Sequence, residues 1–516
     1  MGNKIYPIGI QSFEKIRKDG YFYIDKTALV YQLAKTGCYY FLNRPRRFGK
    51  SLLISTLEAY FQGKQELFEG LAIDKLEKDW IKYPILHLDL NIGKYDTPES
   101  LNQILNDHLT HWEELYGSRP SEVSLALRFA GIIQRACEQT GQRTVILVDE
   151  YDKPMLQAIG NPELQENYRN ALKPFYGALK SKDGYIKFAM LTGVTKFGKI
   201  SVFSDLNNLD DISMREPYVD LCGISEEEIH ANLETELHEL AVAQKMTYEQ
   251  ACAKLEECYD GYHFVEDTIG IYNPFSLLNT FKYNKFSNYW FETGTPTYLV
   301  KLLKRHHYNL ERMADVETDA DVLNSIDSES TNPIPVIYQS GYLTIKEYDK
   351  EFGIYRLGFP NREVEEGFMR FLLPYAKTTK VEAPFEIQKF VREVRIGDYD
   401  SFFRRLQSFF ADTTYEIIRE QELHYQNVLF IVFKLMGFYT KVEYRTCEGR
   451  IDLVLQTDNF IYVMEFKLDG TSEEALQQIN EKHYTQPFQT DSRKLFKIGV
   501  NFSGKTRNIE RWIVEE

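Results

Sequence analysis

Gly449-Arg450-Ile451-Asp452-Leu453-Val454-Leu455 and then Phe460-Ile461-Tyr462-Val463-Met464-Glu465-Phe466-Lys467 read as the two arms of a β-hairpin. Both arms are rich in β-branched and aromatic residues, and Thr457-Asp458-Asn459 between them supplies turn chemistry. A turn centred on Asp458-Asn459 faces Phe460 with Thr457, and counting outwards sets Glu465 opposite Asp452. Side chains alternate along a strand, so Glu465 and Lys467 share a face and Asp452 joins them across the pair. Like charges directly opposed weaken a sheet. Two carboxylates and an ammonium at one point therefore suggest a divalent cation held by Asp452 and Glu465, with Lys467 placed to orient or polarise a water.

In order and spacing this segment resembles the PD-(D/E)XK nuclease superfamily. The resemblance implies that Asp452 and Glu465 bind Mg²⁺ and that Lys467 assists phosphodiester hydrolysis. Glu422, on a preceding amphipathic helix, stands where the superfamily often carries a further acid. Gln478 lies on the following helix, with Tyr484 beyond it. The competing reading is a strand face with ordinary solvated charges.

The chain has 516 residues, too many for one core, and about two to four domains are expected. Hydrophobic residues make up 43% and charged residues 27%, which excludes a disordered chain. The net charge of −15 argues against tight nucleic-acid binding through bulk electrostatics. From residue 441 onward 11 basic residues face 13 acidic ones. A nucleic-acid footprint must then be a local patch such as Arg493, Lys494, Lys497, Lys505 and Arg507, residues that a solvated charged face explains equally well. Six scattered cysteines form no CxxC pair, as in a reducing compartment. Cys252, Cys258 and His263 are better read as helix thiols and a neighbour than as metal ligands. There is no signal-peptide core, no myristoylation pattern (Tyr6 stands at the required Ser/Thr position) and no membrane-spanning run. The expectation is a cytoplasmic protein with no membrane partner.

In the N-terminal half, apolar runs at Cys38 to Leu42, Ile85 to Leu90, Val145 to Val148, Ile186 to Leu191 and Tyr218 to Cys222 alternate with helical stretches. That rhythm predicts a parallel sheet covered by helices, with ligands at the carboxyl ends of its strands. The first run leads into Asn43-Arg44-Pro45-Arg46-Arg47-Phe48-Gly49-Lys50-Ser51 and a helix, the context of a P-loop. Gly49 would admit phosphate to the backbone amides, Lys50 would reach the β- and γ-phosphates of ATP, and Ser51 would ligate Mg²⁺. Arg44 replaces the first glycine of that motif. Arg46 and Arg47 add charge that would either hold phosphate or fill its place. Thr144-Val145-Ile146-Leu147-Val148-Asp149-Glu150 ends in two acids as a Walker B strand does: Asp149 for Mg²⁺ through water, Glu150 to activate the hydrolytic water. Thr192, ending a later strand, is a candidate γ-phosphate sensor. The interval between Ser51 and Asp149 leaves room for another strand.

Tyr23-Ile24-Asp25-Lys26-Thr27, the Arg44 to Ser51 loop, Val148-Asp149-Glu150-Tyr151-Asp152, Leu191 to Phe197 and Phe203 to Leu209 resemble the AAA-ATPase-like family of bacterial proteins. In that family the domain is commonly followed by a PD-(D/E)XK nuclease-like domain, the order found here. The Arg-rich loop belongs to the family pattern. The resemblance covers nearly the whole chain.

From Ser225 the pattern turns helical, with Glu226 to Ala243, Tyr248 to Cys258 and a helix opened by Pro274. Tyr259 to Phe264 and Asn288 to Pro296 are aromatic packing segments. Ile337 to Tyr348 and Gly353 to Leu357 read as strands of a small winged-helix-like module, and residues 376 to 384 as a linker. The fold expected is α/β: a P-loop domain at 1–222, a mostly helical middle at 223–384 and a nuclease-like α/β domain at 385–516. The function expected is an ATP-binding module that regulates a Mg²⁺-dependent nuclease acting on nucleic acid, DNA before RNA. The alternative is a non-cleaving signalling or assembly ATPase whose C-terminal domain only binds nucleic acid or protein. P-loop enzymes often borrow an arginine from a neighbour, so a homo-oligomer is also compatible.

Overall fold

The computed structural model describes the chain apart from residues 1–3, 198–207, 293–298, 300–301, 304–307, 315, 325, 327–331, 373–382, 412–420 and 448–449. Side chains at 292, 311, 314, 324, 383–386, 421–426, 444–447 and 450–452 also lie outside that description. Part of the Phe203 to Leu209 motif and most of the 376 to 384 linker fall on these residues. The chain divides into two compact units, Met1–Leu299 with Asp315–Glu363, and Val300–Ala314 with Val364–Glu516.

The first unit is built on a sheet of β1 (Tyr39–Asn43), β2 (Ile85–Asp89), β3 (Thr144–Asp149), β4 (Ile186–Gly193) and β5 (Asp210–Asp211), in the order β2-β3-β4-β1-β5. All its pairings are parallel. The apolar runs of β3 and β4 are buried almost throughout, as a parallel sheet covered on both faces requires. β2 fills the interval between Ser51 and Asp149 in sequence. In space, β4 is the strand between β1 and β3.

Two expected strands are corrected. Tyr218 to Cys222 is not the fifth strand, because Glu216–Tyr218 forms a short 3-10 helix. Pro217 has no N–H to give a ladder, and the two-residue β5 upstream pairs with β1 instead. Likewise Ile337 to Tyr348 opens as a helix, Ile334–Gln339, with Pro335 in its first turn where a missing N–H costs nothing. Only from Thr344 is the segment extended. The antiparallel sheet β6 (Val316–Asp319), β8 (Ile354–Gly358) and β7 (Thr344–Asp349) stands among helices, in the region read as winged-helix-like.

Three helices of the middle region, Glu226–Gln244, Tyr248–Tyr259 and Pro274–Tyr283, share a core of Leu233, Leu237, Leu240, Leu255, Leu277 and Phe281. Capping boxes start the first two, at Ser225 with Glu228 and at Thr247 with Gln250. Cys252 and Cys258 are half-buried on the second, and among the described residues no His/Cys/Asp/Glu group is arranged to hold a metal.

The second unit carries a mixed sheet in the order β13-β12-β11-β10-β9, where β9 is Lys441–Cys447, β10 Arg450–Gln456, β11 Phe460–Leu468, β12 Lys494–Ser503 and β13 Asn508–Glu515. β9, β10 and β11 form an antiparallel meander, whereas β11 and β12 run parallel. Parallel neighbours need a crossover, supplied here by the helix Ser472–Glu481. That helix lies hard against β12 at Gly499, where an added Cβ would meet Ser472 O at 2.1 Å. Phe403 and Phe433, on the helices Tyr399–Ala411 and Gln421–Gly437, pack on Phe466 of β11. No helix among the described residues is long and apolar enough to cross a membrane.

Candidate functional site

β1 ends at Asn43, and the loop that follows enters the helix Lys50–Phe61 through Gly49, whose φ of 95° suits glycine alone. The first backbone N–H groups of a helix lack intrahelical partners, so this end attracts anions. Lys50 begins the helix and is 4% exposed. Its ammonium donates to the carbonyls of Arg44 (3.1 Å) and Pro45 (3.3 Å) and lies 3.4 Å from Glu150 Oε1. Ser51 is half-buried in the first turn. Arg46 and Arg47 are exposed on the loop, and the Arg47 guanidinium stands 5.1 Å from the Phe275 ring. Arg44 turns inward and is 1% exposed. The residue standing at the missing glycine is thus a core side chain, not a loop-tip cation.

β3 delivers Asp149, which is buried and accepts a 2.7 Å hydrogen bond from the Thr192 hydroxyl on β4. Because β4 lies between β1 and β3, Thr192 pairs in register with Leu42 of β1 and also touches the β3 carboxylate. The chain turns at Glu150 with φ 55°, a left-handed conformation that costs a non-glycine residue about 1–3 kcal/mol. Lys50, Ser51, Asp149, Glu150 and Thr192 therefore gather at the carboxyl ends of β1, β3 and β4.

Two features here carried no assigned role in the sequence. Asp152, fully buried, accepts from Val194 N (3.1 Å), Thr195 N (2.6 Å) and Thr195 Oγ1 (2.6 Å), and so ties the turn after β3 to the end of β4. Burial, then the nearby Glu150, raises its pKa. Its signal was a third acid, three residues past Asp149 at the end of a buried strand. The second is an apolar cavity of about 110 Å³ beside Gly49, lined by Pro7, Phe22, Ile24, Phe48, Cys222 and Leu278 among others. It is assembled from segments far apart in sequence, and no local pattern marks it.

In the second unit, the register sets Asp452 directly opposite Glu465 and Arg450 opposite Lys467, and Thr457 N donates to Phe460 O at 2.8 Å to close the turn. The side chains of Asp452 and Glu422 lie outside the described residues. Glu465 is 0% exposed. Lys467 Nζ is 3.5 Å from Glu465 Oε1 and donates to Gln478 Oε1, and Gln478 Nε2 donates to the Tyr484 hydroxyl at 3.4 Å. Gln478 reaches Lys467 because Gly499, the register partner of Glu465 on β12, lets the crossover helix sit low on the sheet. Glu465 supplies hard carboxylate oxygens of the kind Mg²⁺ takes, and the backbone of Asp452 stands opposite it in register.

The basic patch read from the sequence is largely committed elsewhere. Arg493 pairs with Asp491 and donates to Gln456 Oε1 and Thr457 O, Lys494 pairs with Glu516, and Lys497 pairs with Glu515.

Fold and site together define a P-loop nucleotide-binding module followed by a nuclease-type sheet. Residues 7–203 match the family model described as a predicted AAA-ATPase, and residues 420–512 match that of the PD-(D/E)XK nuclease superfamily. An uncharacterized protein in the vnfD 5′ region of Azotobacter chroococcum mcd 1 is 33% identical over 527 residues, covering 100% of this chain and 99% of its own. The chain belongs to the AAA-ATPase-like family and carries a C-terminal domain of the PD-(D/E)XK nuclease superfamily. Among solved structures, the ORC2 protein of Aeropyrum pernix, in ADPNP and ADP complexes, covers 70% of this chain and 92% of its own at 12% identity. Its TM-score of 0.24 is too low to bear on fold or function.

Proposed function

We propose that the chain is an ATP-binding protein whose P-loop module regulates a Mg²⁺-dependent nuclease acting on nucleic-acid phosphodiesters, DNA before RNA. The working parts are taken to be residues 1–222, 223–384 and 385–516. The observation that carries the nuclease reading is the buried Glu465, opposite Asp452 in register and 3.5 Å from the Lys467 ammonium.

In the first unit, Gly49 and the helix start receive the phosphates, Lys50 moves from the carbonyls of Arg44 and Pro45 to the β- and γ-phosphates, and Arg46 and Arg47 add attraction from the loop. The base enters the apolar cavity beside Gly49. Once Lys50 has moved, Glu150 is released from it and orients the hydrolytic water, while Thr192 contacts the γ-phosphate. Ser51 and Asp149 would hold Mg²⁺ here, and Asp452 and Glu465 there, with Glu422 on the preceding helix as a further acid. When bound, the ion supplies positive charge to the phosphate oxygens. In the second unit, Lys467, aimed by Gln478, orients a water whose oxygen forms a bond to phosphorus as a P–O ester bond breaks. The water's proton passes to solvent and the departing alkoxide takes one back.

The test is cleavage of double- and single-stranded DNA and RNA by the full chain with Mg²⁺, with and without ATP. Cleavage by wild type that is lost in Lys467→Ala is the expected result. Identical cleavage by the two proteins removes Lys467 and its site from the reaction, and no cleavage by either leaves a non-cleaving ATPase as the better reading.

A further inference from the structure

A second cavity in the first unit, about 30 Å³, abuts the root of the phosphate loop, and Arg44, Lys196, Asp211, Tyr262, His263 and Gln339 are among its lining residues. Arg44 donates from its Nη atoms to the carbonyls of Asn43 (2.9 Å), Ser213 (2.8 Å) and Tyr218 (3.1 Å), and its guanidinium lies 4.0 Å from the Phe264 ring. None of these partners bears a charge. Lys196 is already paired with Asp211. Burial lowers the pKa of His263, which is therefore neutral at pH 7, and its Nδ1 lies 3.0 Å from Thr268 O. Burial brings Arg44 down to about 10, still protonated at neutral pH. Among the described lining residues, then, two cations face one carboxylate, and a positive charge is left over.

The same two walls hold unspent hydrogen-bonding capacity. Arg44 Nε and the Tyr262 hydroxyl are both buried without a partner, on side chains each 1% exposed. A water molecule needs about 10–15 Å³ of such space, so the cavity admits one or two guests of about that size. Water would satisfy the donors but bring no charge against the guanidinium, which feels Asp211 and Asp220 only through space and hydrogen-bonds to neither.

We propose that this cavity binds one small monovalent anion, of which chloride is the physiological example, against Arg44 and Tyr262. Arg44 is also the residue whose carbonyl accepts from Lys50, so the guest steadies the backbone that holds the phosphate-loop lysine. Arg44 is thereby a positioning residue that acts through its main chain.

The experiment compares melting of the full chain, without nucleotide, in sodium chloride and sodium gluconate at equal ionic strength. A saturable rise in Tm with chloride and bromide is expected, absent with gluconate, which is too large for the space. Tyr262→Phe keeps the ring and removes the donor, so its half-saturating chloride concentration should rise several-fold. Bromide-soaked crystals of the unaltered protein give an independent readout: an anomalous peak in the cavity supports the proposal. An ordered water with no bromide there, or the same chloride dependence in wild type and Tyr262→Phe, overturns it.

Discussion

Arg44 and Lys467 illustrate how far single residues can be read. The Gly-Lys-Ser of the loop nominated Lys50 and Ser51, and both open the helix that follows β1. Which of three neighbouring arginines faced solvent was not legible, because that depends on the loop's path: Arg44 goes under it, while Arg46 and Arg47 stay on it. Lys50→Ala should abolish the ATP-induced rise in melting temperature, which for wild type at a hundredfold excess over Kd corresponds to about 2.7 kcal/mol. Lys467→Ala should lower Mg²⁺-dependent cleavage about 10²-fold or more, the scale on which a group acting in the transition state is usually felt. Asp260 offers a test of charge and burial away from both sites. Burial, opposed by a hydrogen bond from the Gly261 amide and assisted by Glu226 and Glu256, raises it to about 6. The folded pKa exceeds the ordinary carboxyl value, so its contribution to stability is complete below about pH 4 and is lost as pH rises through 6. Melting of wild type should therefore lose ground to Asp260→Asn between pH 5 and 7.5.

At the scale of elements, the hairpin of β10 and β11 was read to the residue, because its turn chemistry and alternation both fixed the same register. The strand at Tyr218 to Cys222 and the first part of the one at Ile337 to Tyr348 were misread for one reason: apolar content outweighed the prolines at 217 and 335, while Thr344 onward is a strand as expected. The close approach of the helix Ser472–Glu481 to β12 rests on Gly499, whose role no periodicity shows. A side chain there would collide with Ser472 O and Leu476 N (2.6 Å). Gly499→Val should cost about 1–3 kcal/mol or more in chemical denaturation, as overpacking does. It should also depress cleavage by pulling Gln478 away from Lys467.

For the whole molecule, two sites on one chain raise the matter of coupling. If nucleotide state controls the nuclease, cleavage by wild type should differ between ATP and ADP, and Lys50→Ala should remove that difference while keeping basal cleavage. Equal rates under all three conditions would mean two independent activities. The pairing of an AAA-ATPase-like domain with a PD-(D/E)XK domain was legible in order, since each is announced by a local motif on a strand end.

Motifs that close within a few residues were determined by the sequence alone: the Gly49-Lys50-Ser51 loop, the Asp149-Glu150 strand end and the Asp452/Glu465/Lys467 register. These depend on strand alternation and turn chemistry, which act over short distances along the chain. The folded chain alone decided what depends on distant segments meeting: β4 coming between β1 and β3 so that Thr192 reaches Asp149, the apolar cavity beside Gly49, and the burial of Arg44 next to Tyr262. Charge and space are shared there among residues that no window of sequence holds together.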